Sequence, residues 1–237
     1  MRRLVVIAAV LGAAVAAAPA GGAAQKQAPK VDQMVVFPSG KAVRKRVSTR
    51  ALKVRVRGRR CSAGSRTALA ALVRSHPGRI RLRDFGTCSA RAADASGLFV
   101  SGIGRNRNKG RDGWVYKVGK RAATAGAADP AGPFGSGRLR AGKRVTWFYC
   151  RLESGGCQRS LGLKFKSELD SISAIVSGYD DEGGGAREPG ATVVVDGTEV
   201  EADANGVAQL VLGEGTHSVF ARKEGRVRSF TERVVVK

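Results

Sequence analysis

The chain has 237 residues, a formal net charge of +23 and a sequence pI of about 11.1. So basic a balance speaks to solubility and anionic contacts, not to fold. Its two histidines are far apart in the sequence, the four cysteines include no C-x-x-C pair and have no histidine nearby to mark a zinc centre, and neither G-x-S-x-G nor H-E-x-x-H occurs.

Residues 1–24, MRRLVVIAAVLGAAVAAAPAGGAA, open with the basic pair Arg2 and Arg3 and continue apolar from Leu4 to Ala18. This is the pattern of a secretory signal peptide, with cleavage after Ala20 in Ala18-Pro19-Ala20. The apolar run is shorter than the roughly 20 residues a bilayer span needs, and no transmembrane anchor is expected in the mature chain. A secreted or cell-envelope protein follows. Cys61, Cys88, Cys150 and Cys157 form an even set in an exported chain, so disulfides are expected. The pairs nearest in sequence, Cys61–Cys88 and Cys150–Cys157, are favoured among the three connectivities that four cysteines allow.

After a flexible start at 25–32, the segment MVVFPSGKAVRKRV (34–47) reads as a hairpin turning at Pro38-Ser39-Gly40. LKVRVRGR (52–59) alternates, with Leu52, Val54 and Val56 on one face and Lys53, Arg55 and Arg57 on the other, which predicts one half-buried strand. SRTALAALVRSHPG (65–78) predicts a helix capped by Ser65, with Leu69, Leu72 and Val73 on its apolar face and a stop at Pro77-Gly78. His76 falls at that helix end, an ordinary capping position. RIRLRDF (79–85) is a second alternating strand, Ile80 and Leu82 inward and Arg79, Arg81 and Arg83 outward. GLFVSGI (97–103) reads as a buried strand, and RNRNKGRDG (105–113) as a basic loop holding Arg105 and Arg107.

Two aromatic strands follow. In GWVYKVGK, Trp114, Tyr116 and Val118 share a face; in KRVTWFYC, Val145, Trp147 and Tyr149 do. Such faces are expected to meet the helix as a core, with Trp114 and Trp147 as its large members. A competing reading makes them walls of a ligand pocket, with the hydroxyls of Tyr116 and Tyr149 as its polar ends.

Charge divides the chain: residues 25–170 carry 33 Lys and Arg against 8 Asp and Glu, and residues 171–237 carry 7 against 11. The change falls beside KSELDSIS (166–173), giving a basic domain over 33–167 and a second over 171–237. The second is punctuated by Asp196-Gly197, Asn205-Gly206, Gly213-Glu214-Gly215 and Glu224-Gly225, with short β-branched runs between, the pattern of a small all-β sandwich. Asp180, Asp181 and Glu182 read as a solvated acidic loop rather than a calcium site, since calcium takes six or more oxygens. No metal and no cofactor are expected.

GWVYKVGK followed by AGKRVTWFY resembles the transcobalamin C-terminal-like domain, with its G-W-x-Y-x-V-N-G … G-D-x-V-x-W-x-Y pattern. Gly113, Trp114, Tyr116, Val118, Gly142, Val145, Trp147 and Tyr149 match, over a region of about residues 50–150. Gly119 stands where the family carries Asn, and Lys143 where it carries Asp, so the turns lack those polar groups. The resemblance implies a β-grasp-like sheet crossed by one helix, and a cobalamin-like small-molecule carrier as one function. PGATVVVDGTEVEADANGVAQLVLGEGTHSVFA is similar to carboxypeptidase-regulatory-like and bacterial immunoglobulin-like modules, which implies a spacer or stalk over about 171–236. The fold class expected is therefore α+β followed by an all-β sandwich.

For function, the inventory argues against an enzyme. His76 and His217 lie in different domains, and a glycosidase-like carboxylate pair, the one catalytic alternative left open, would have to come from the eight widely scattered acids of the basic region (Asp32, Asp84, Asp94, Asp112, Asp129, Glu153, Glu168, Asp170). The cationic residues Arg55, Arg57, Arg81, Arg83, Arg105 and Arg107 are the candidate contacts for a phosphate- or carboxylate-bearing envelope polymer. A basic composition with no dedicated partner is the competing explanation. Nucleic acid is a poor partner outside the cell. The expectation is a non-enzymatic binding or surface-associated protein; the alternatives are a small-molecule carrier using Tyr116 and Tyr149, and a structural stalk.

Overall fold

A computed structural model describes residues 27–152, 156–167 and 171–237. The expected signal segment, and the acids Glu153, Glu168 and Asp170, lie outside the described residues.

Strand β1 (Lys30–Val36) turns back into β2 (Ala42–Ser48), with Phe37 N–H donating to Lys41 O at 2.8 Å and Gly40 at φ 80°. β1 begins inside the stretch read as a flexible start. Val31 is fully buried and pairs with Val47, so residues 30–32 are held by the ladder and the core.

β3 (Leu52–Val56) and β4 (Arg59–Ala63) form a hairpin where one strand over 52–59 was expected. Arg57 (φ 48°) and Gly58 (φ 82°) make the turn, so Arg57 is a turn residue and not the last of a strand face. Two positive φ values are what a two-residue hairpin turn demands.

Helix α1 (Ala68–Ser75) is capped by Thr67, not Ser65: the Thr67 hydroxyl accepts from Ala70 N–H at 3.2 Å. Leu69 and Leu72 are fully buried, Val73 packs at the edge of the same core, and His76 ends the helix at φ 52°.

β5 (Ile80–Asp84), β6 (Leu98–Ile103) and β7 (Asn106–Arg107) form a small antiparallel sheet. β6 is not buried throughout: Leu98 and Val100 point inward, while Phe99 between them is 42% exposed. Period-2 geometry turns Phe99 to the other face.

β8 (Gly113–Val118), β9 (Arg121–Ala122) and β10 (Arg144–Cys150) join β1 and β2 in a five-stranded sheet of order β2-β1-β10-β8-β9. β1 and β10 run parallel; the other pairs are antiparallel. On one face Val31, Val35, Tyr116, Val145 and Trp147 share a core with Leu69 and Leu72 of α1. On the other face Met34, Val36, Phe148 and Cys150 pack against Val227 and Phe230 from the C-terminal part of the chain.

The remaining strands form two antiparallel four-stranded sheets. β11 (Ser160–Ser167), β12 (Ile172–Tyr179) and β13 (Gly185–Arg187) lie in one, joined by β16 (Val207–Leu210) on β12. The other has the order β15-β14-β17-β18, from β14 (Thr192–Val195), β15 (Thr198–Glu201), β17 (Gly215–Arg222) and β18 (Glu232–Val236). Ala174, Val176, Val193, Leu210, Val219 and Ala221 form their shared core. β11 pairs with β12 over its whole length, so residues 160–167, read from charge as the end of the first domain, belong to this second unit.

The chain is thus β-rich with one α-helix among the described residues. The disulfides are Cys61–Cys88 and Cys150–Cys157, the local pairing expected from spacing.

Candidate functional site

Arginine spacing on three short strands produces a single basic concavity. The β3–β4 hairpin contributes Arg55 and Arg57. The approach to β5 and β5 itself contribute Arg79, Arg81 and Arg83, and β7 with the following loop contributes Arg107 and Arg111. Together they line a space of about 950 Å³. The two alternating runs lie in different sheets, and they converge here because β3 packs beside β5. Between the charges, Ile80, Leu82, Phe99, Val115, Leu152 and the Cys150–Cys157 bridge supply apolar wall.

Five of the six arginines expected from sequence line this space; Arg105 does not. It sits in the Gly104–Arg105 turn between β6 and β7, away from the lining. Arg79 and Arg111 complete the set. Both stand in the basic runs already visible in the sequence, but which members of a run converge depends on how the strands pack.

None of these seven arginines has a carboxylate within ion-pair distance among the described residues. The cations that do find acids are elsewhere, such as Arg59 with Asp84 at 3.3 Å. Asp112 is the one acid among the described lining residues, and its carboxylate accepts from Leu152 N–H at 3.0 Å.

Two of the arginines are held side by side. Arg81 pairs across the sheet with Gly102, and Gly102 pairs in turn with Arg107. Directly opposed residues share a face, and a Cβ at Gly102 would lie 3.5 Å from Arg81 Cδ and 3.0 Å from Asn106 O, so the glycine lets the Arg81 side chain lie close over the strand. Arg81 is half-buried and donates to Gly104 O. Lost solvation, and after it the charges of Arg107 and Arg79, push its pKa below the usual arginine value, though a guanidinium stays protonated throughout.

The aromatic residues support this arrangement from behind. Trp114 Nε1 donates to Asn106 O at 3.1 Å, and the Tyr149 hydroxyl donates to Arg107 O at 3.1 Å. Asn108 bridges the same strands, donating to Val100 O and accepting from Trp114 N–H at 3.0 Å. A Cβ at Gly113 would lie 2.8 Å from the Asn108 side chain, so this bridge requires glycine there. Tyr149 therefore fixes the backbone of a lining arginine but does not itself line the concavity.

Tyr116 lies deeper. It stacks on Trp147 with ring centroids 4.9 Å apart and donates its hydroxyl to Ala125 O at 2.9 Å. Burial, with the charge of Asp129 second, raises its pKa. Trp114 and Trp147 are 2% and 1% exposed.

The acidic loop at 180–182 is not simply solvated. The ammonium of Lys117, fully buried on β8, donates to Tyr179 O at 3.0 Å and Asp180 O at 2.7 Å and lies 3.3 Å from the Asp181 carboxylate. Among the described residues no three His, Cys, Asp or Glu gather closely enough to hold a metal ion, and no helix is long and apolar enough to cross a membrane. Compared with protein families, curated proteins and solved structures, the chain finds no match.

Proposed function

We propose that this chain is exported and acts without catalysis, its first unit binding anionic polymers of the cell envelope through the arginine-lined concavity. One observation carries the reading: seven arginines face one space with no carboxylate partner among the described residues. Like charges held together without counter-charges repel. A polymer bearing phosphate or carboxylate groups supplies the missing charge, and the guanidinium fork matches either group.

In this reading the first unit is a β-grasp domain of the transcobalamin C-terminal-like kind. The order β2-β1-β10-β8-β9, with a parallel central pair and α1 on one face, supports it. The second unit is a β-sandwich spacer, supported by two sheets enclosing one core. The small-molecule carrier has less in its favour, because the Tyr116 hydroxyl is already bonded to Ala125 O and Tyr116 and Trp147 are buried members of the core that includes Leu69 and Leu72.

Binding to poly(glycerol phosphate) at increasing salt tests the proposal. The parent chain binds, and binding weakens as ions screen it. Arg81→Gln/Arg107→Gln is expected to weaken binding at least about tenfold, since each lost charge-assisted bond contributes about 1.5–3 kcal/mol. Lys45→Gln/Lys166→Gln removes the same charge from exposed strand positions outside the concavity and should change little. Equal losses in the two variants would mean that net charge alone binds the polymer, and would sink the proposed site.

A further inference from the structure

Five large hydrophobic residues are exposed among those described: Phe85, Phe99, Leu152, Val211 and Val235. Three of them gather at the arginine concavity. Phe99 and Leu152 line it, and Phe85, 74% exposed, packs edge-on against Phe99 with ring centroids 5.8 Å apart. Phe99 also pairs directly across the sheet with Arg83, so an apolar ring and a cation stand on one face. A backbone bond from Phe85 N–H to Gly97 O, at 2.9 Å, fixes the outer ring over the end of β6.

A polyphosphate chain has no apolar surface to cover such a rim, and the C–H face of a uronate ring can stack on one aromatic ring but offers no hydrocarbon interior to receive three side chains. A bilayer of anionic lipid has both parts: phosphate head groups, and an acyl boundary directly beneath them. We propose that the concavity and its rim dock on an anionic lipid surface, the arginines meeting the head groups and Phe85, Phe99 and Leu152 entering the boundary below. This rests on the anion-binding reading of the same arginines and adds an apolar contact that a soluble polymer does not offer. Each arginine near such a surface strengthens binding about fivefold, so the charges draw the protein in. The rings distinguish a membrane from a free polyanion, because transfer of apolar area follows only where there is hydrocarbon to receive it.

The test floats the chain, without residues 1–20, on vesicles of phosphatidylcholine mixed with phosphatidylglycerol and on vesicles of phosphatidylcholine alone. The parent is expected on the mixed vesicles only. Phe85→Ser/Phe99→Ser should lower that binding at least about tenfold, from the apolar area lost. The same variant should bind poly(glycerol phosphate) as the parent does. Phe85→Leu/Phe99→Leu keeps apolar area and should keep vesicle binding, which guards against misfolding as the cause. Arg81→Gln/Arg107→Gln should lose both ligands. Parent-like flotation of the serine variant, or no flotation of the parent, overturns this inference while leaving polymer binding standing. Unaltered polymer binding by the arginine variant overturns the earlier reading instead.

Discussion

Trp114 and Trp147 lie diagonally on neighbouring strands, opposite Tyr149 and Tyr116, yet their polar atoms meet different fates. Trp114 Nε1 has Asn106 O as acceptor, whereas Trp147 Nε1 is buried and has no hydrogen-bond partner among the described residues. Replacing either by Ala should cost about 3–5 kcal/mol, as large-to-small core changes do. Phe separates the two. Trp147→Phe removes an unsatisfied donor; Trp114→Phe removes a bond and strands Asn106 O. The second change is expected to be the worse by about 1 kcal/mol, read from urea midpoints at constant slope. An equal or reversed order would mean that ring volume alone decides. The grouping was legible in the sequence, because alternation puts Trp114 with Tyr116 and Trp147 with Tyr149; it is the register, Trp147 against Tyr116 and Tyr149 against Trp114, that brings the two sets onto one face. The bonds from Trp114 and Tyr149 to the backbone beneath Arg107 were not legible, since they depend on where β7 lies.

At the scale of elements, the turns carry much of the information. Asp196-Gly197 reads as a hairpin turn from sequence, and both residues take positive φ between β14 and β15. Arg57-Gly58 does the same between β3 and β4, but alternation runs unbroken through it and hides the turn. The Asp196 turn also holds a titrating contact. His217 Nδ1 lies 2.8 Å from Asp196 Oδ2, and Nε2 lies 2.9 Å from Gly213 O. Both partners only accept, so the imidazolium alone serves both. The Gly213 carbonyl first, and Asp196 second, raise the pKa of His217 above its usual 6.5. The folded chain then keeps a proton that the unfolded chain has lost. The stabilisation is complete below about pH 6.5 and disappears as pH climbs through the raised folded value. Melting temperatures across neutral pH should therefore fall more for the parent than for His217→Gln. Parallel profiles would remove this role from the histidine.

For the whole molecule, what matters is where the few acids go. The second unit is the acid-rich part of the sequence, and it uses those acids at the junction. Asp181 meets Lys117, and Glu232 takes both terminal nitrogens of Arg144. Phe230 lies under the guanidinium groups of Arg44 and Arg144. The junction thus neutralises cations on the far face of the central sheet, while those of the concavity have no carboxylate partner among the described residues. Charge counting located the division only coarsely, because β11 carries lysines yet pairs in the acidic unit. Lys117→Met should show how firmly the units are joined. It leaves Asp181 and two carbonyls without their partner, a loss of about 3 kcal/mol for a broken buried pair. The expected fall in melting temperature is about 6–12 °C for a chain of this size. A change of a degree or less would mean that the apolar contacts around Phe230 hold the junction alone.

The parallel pair β1 and β10 has a mechanical consequence. Tension that enters β1 at Lys30 and leaves β10 at Cys150 pulls on opposite ends of adjacent parallel strands. The five residue pairs from Asp32↔Arg144 to Val36↔Phe148 are then sheared together instead of being peeled apart one after another. Past β10, the Cys150–Cys157 bond carries the load covalently around the residues between. A surface held at one end and dragged at the other meets a joint whose rungs share the strain.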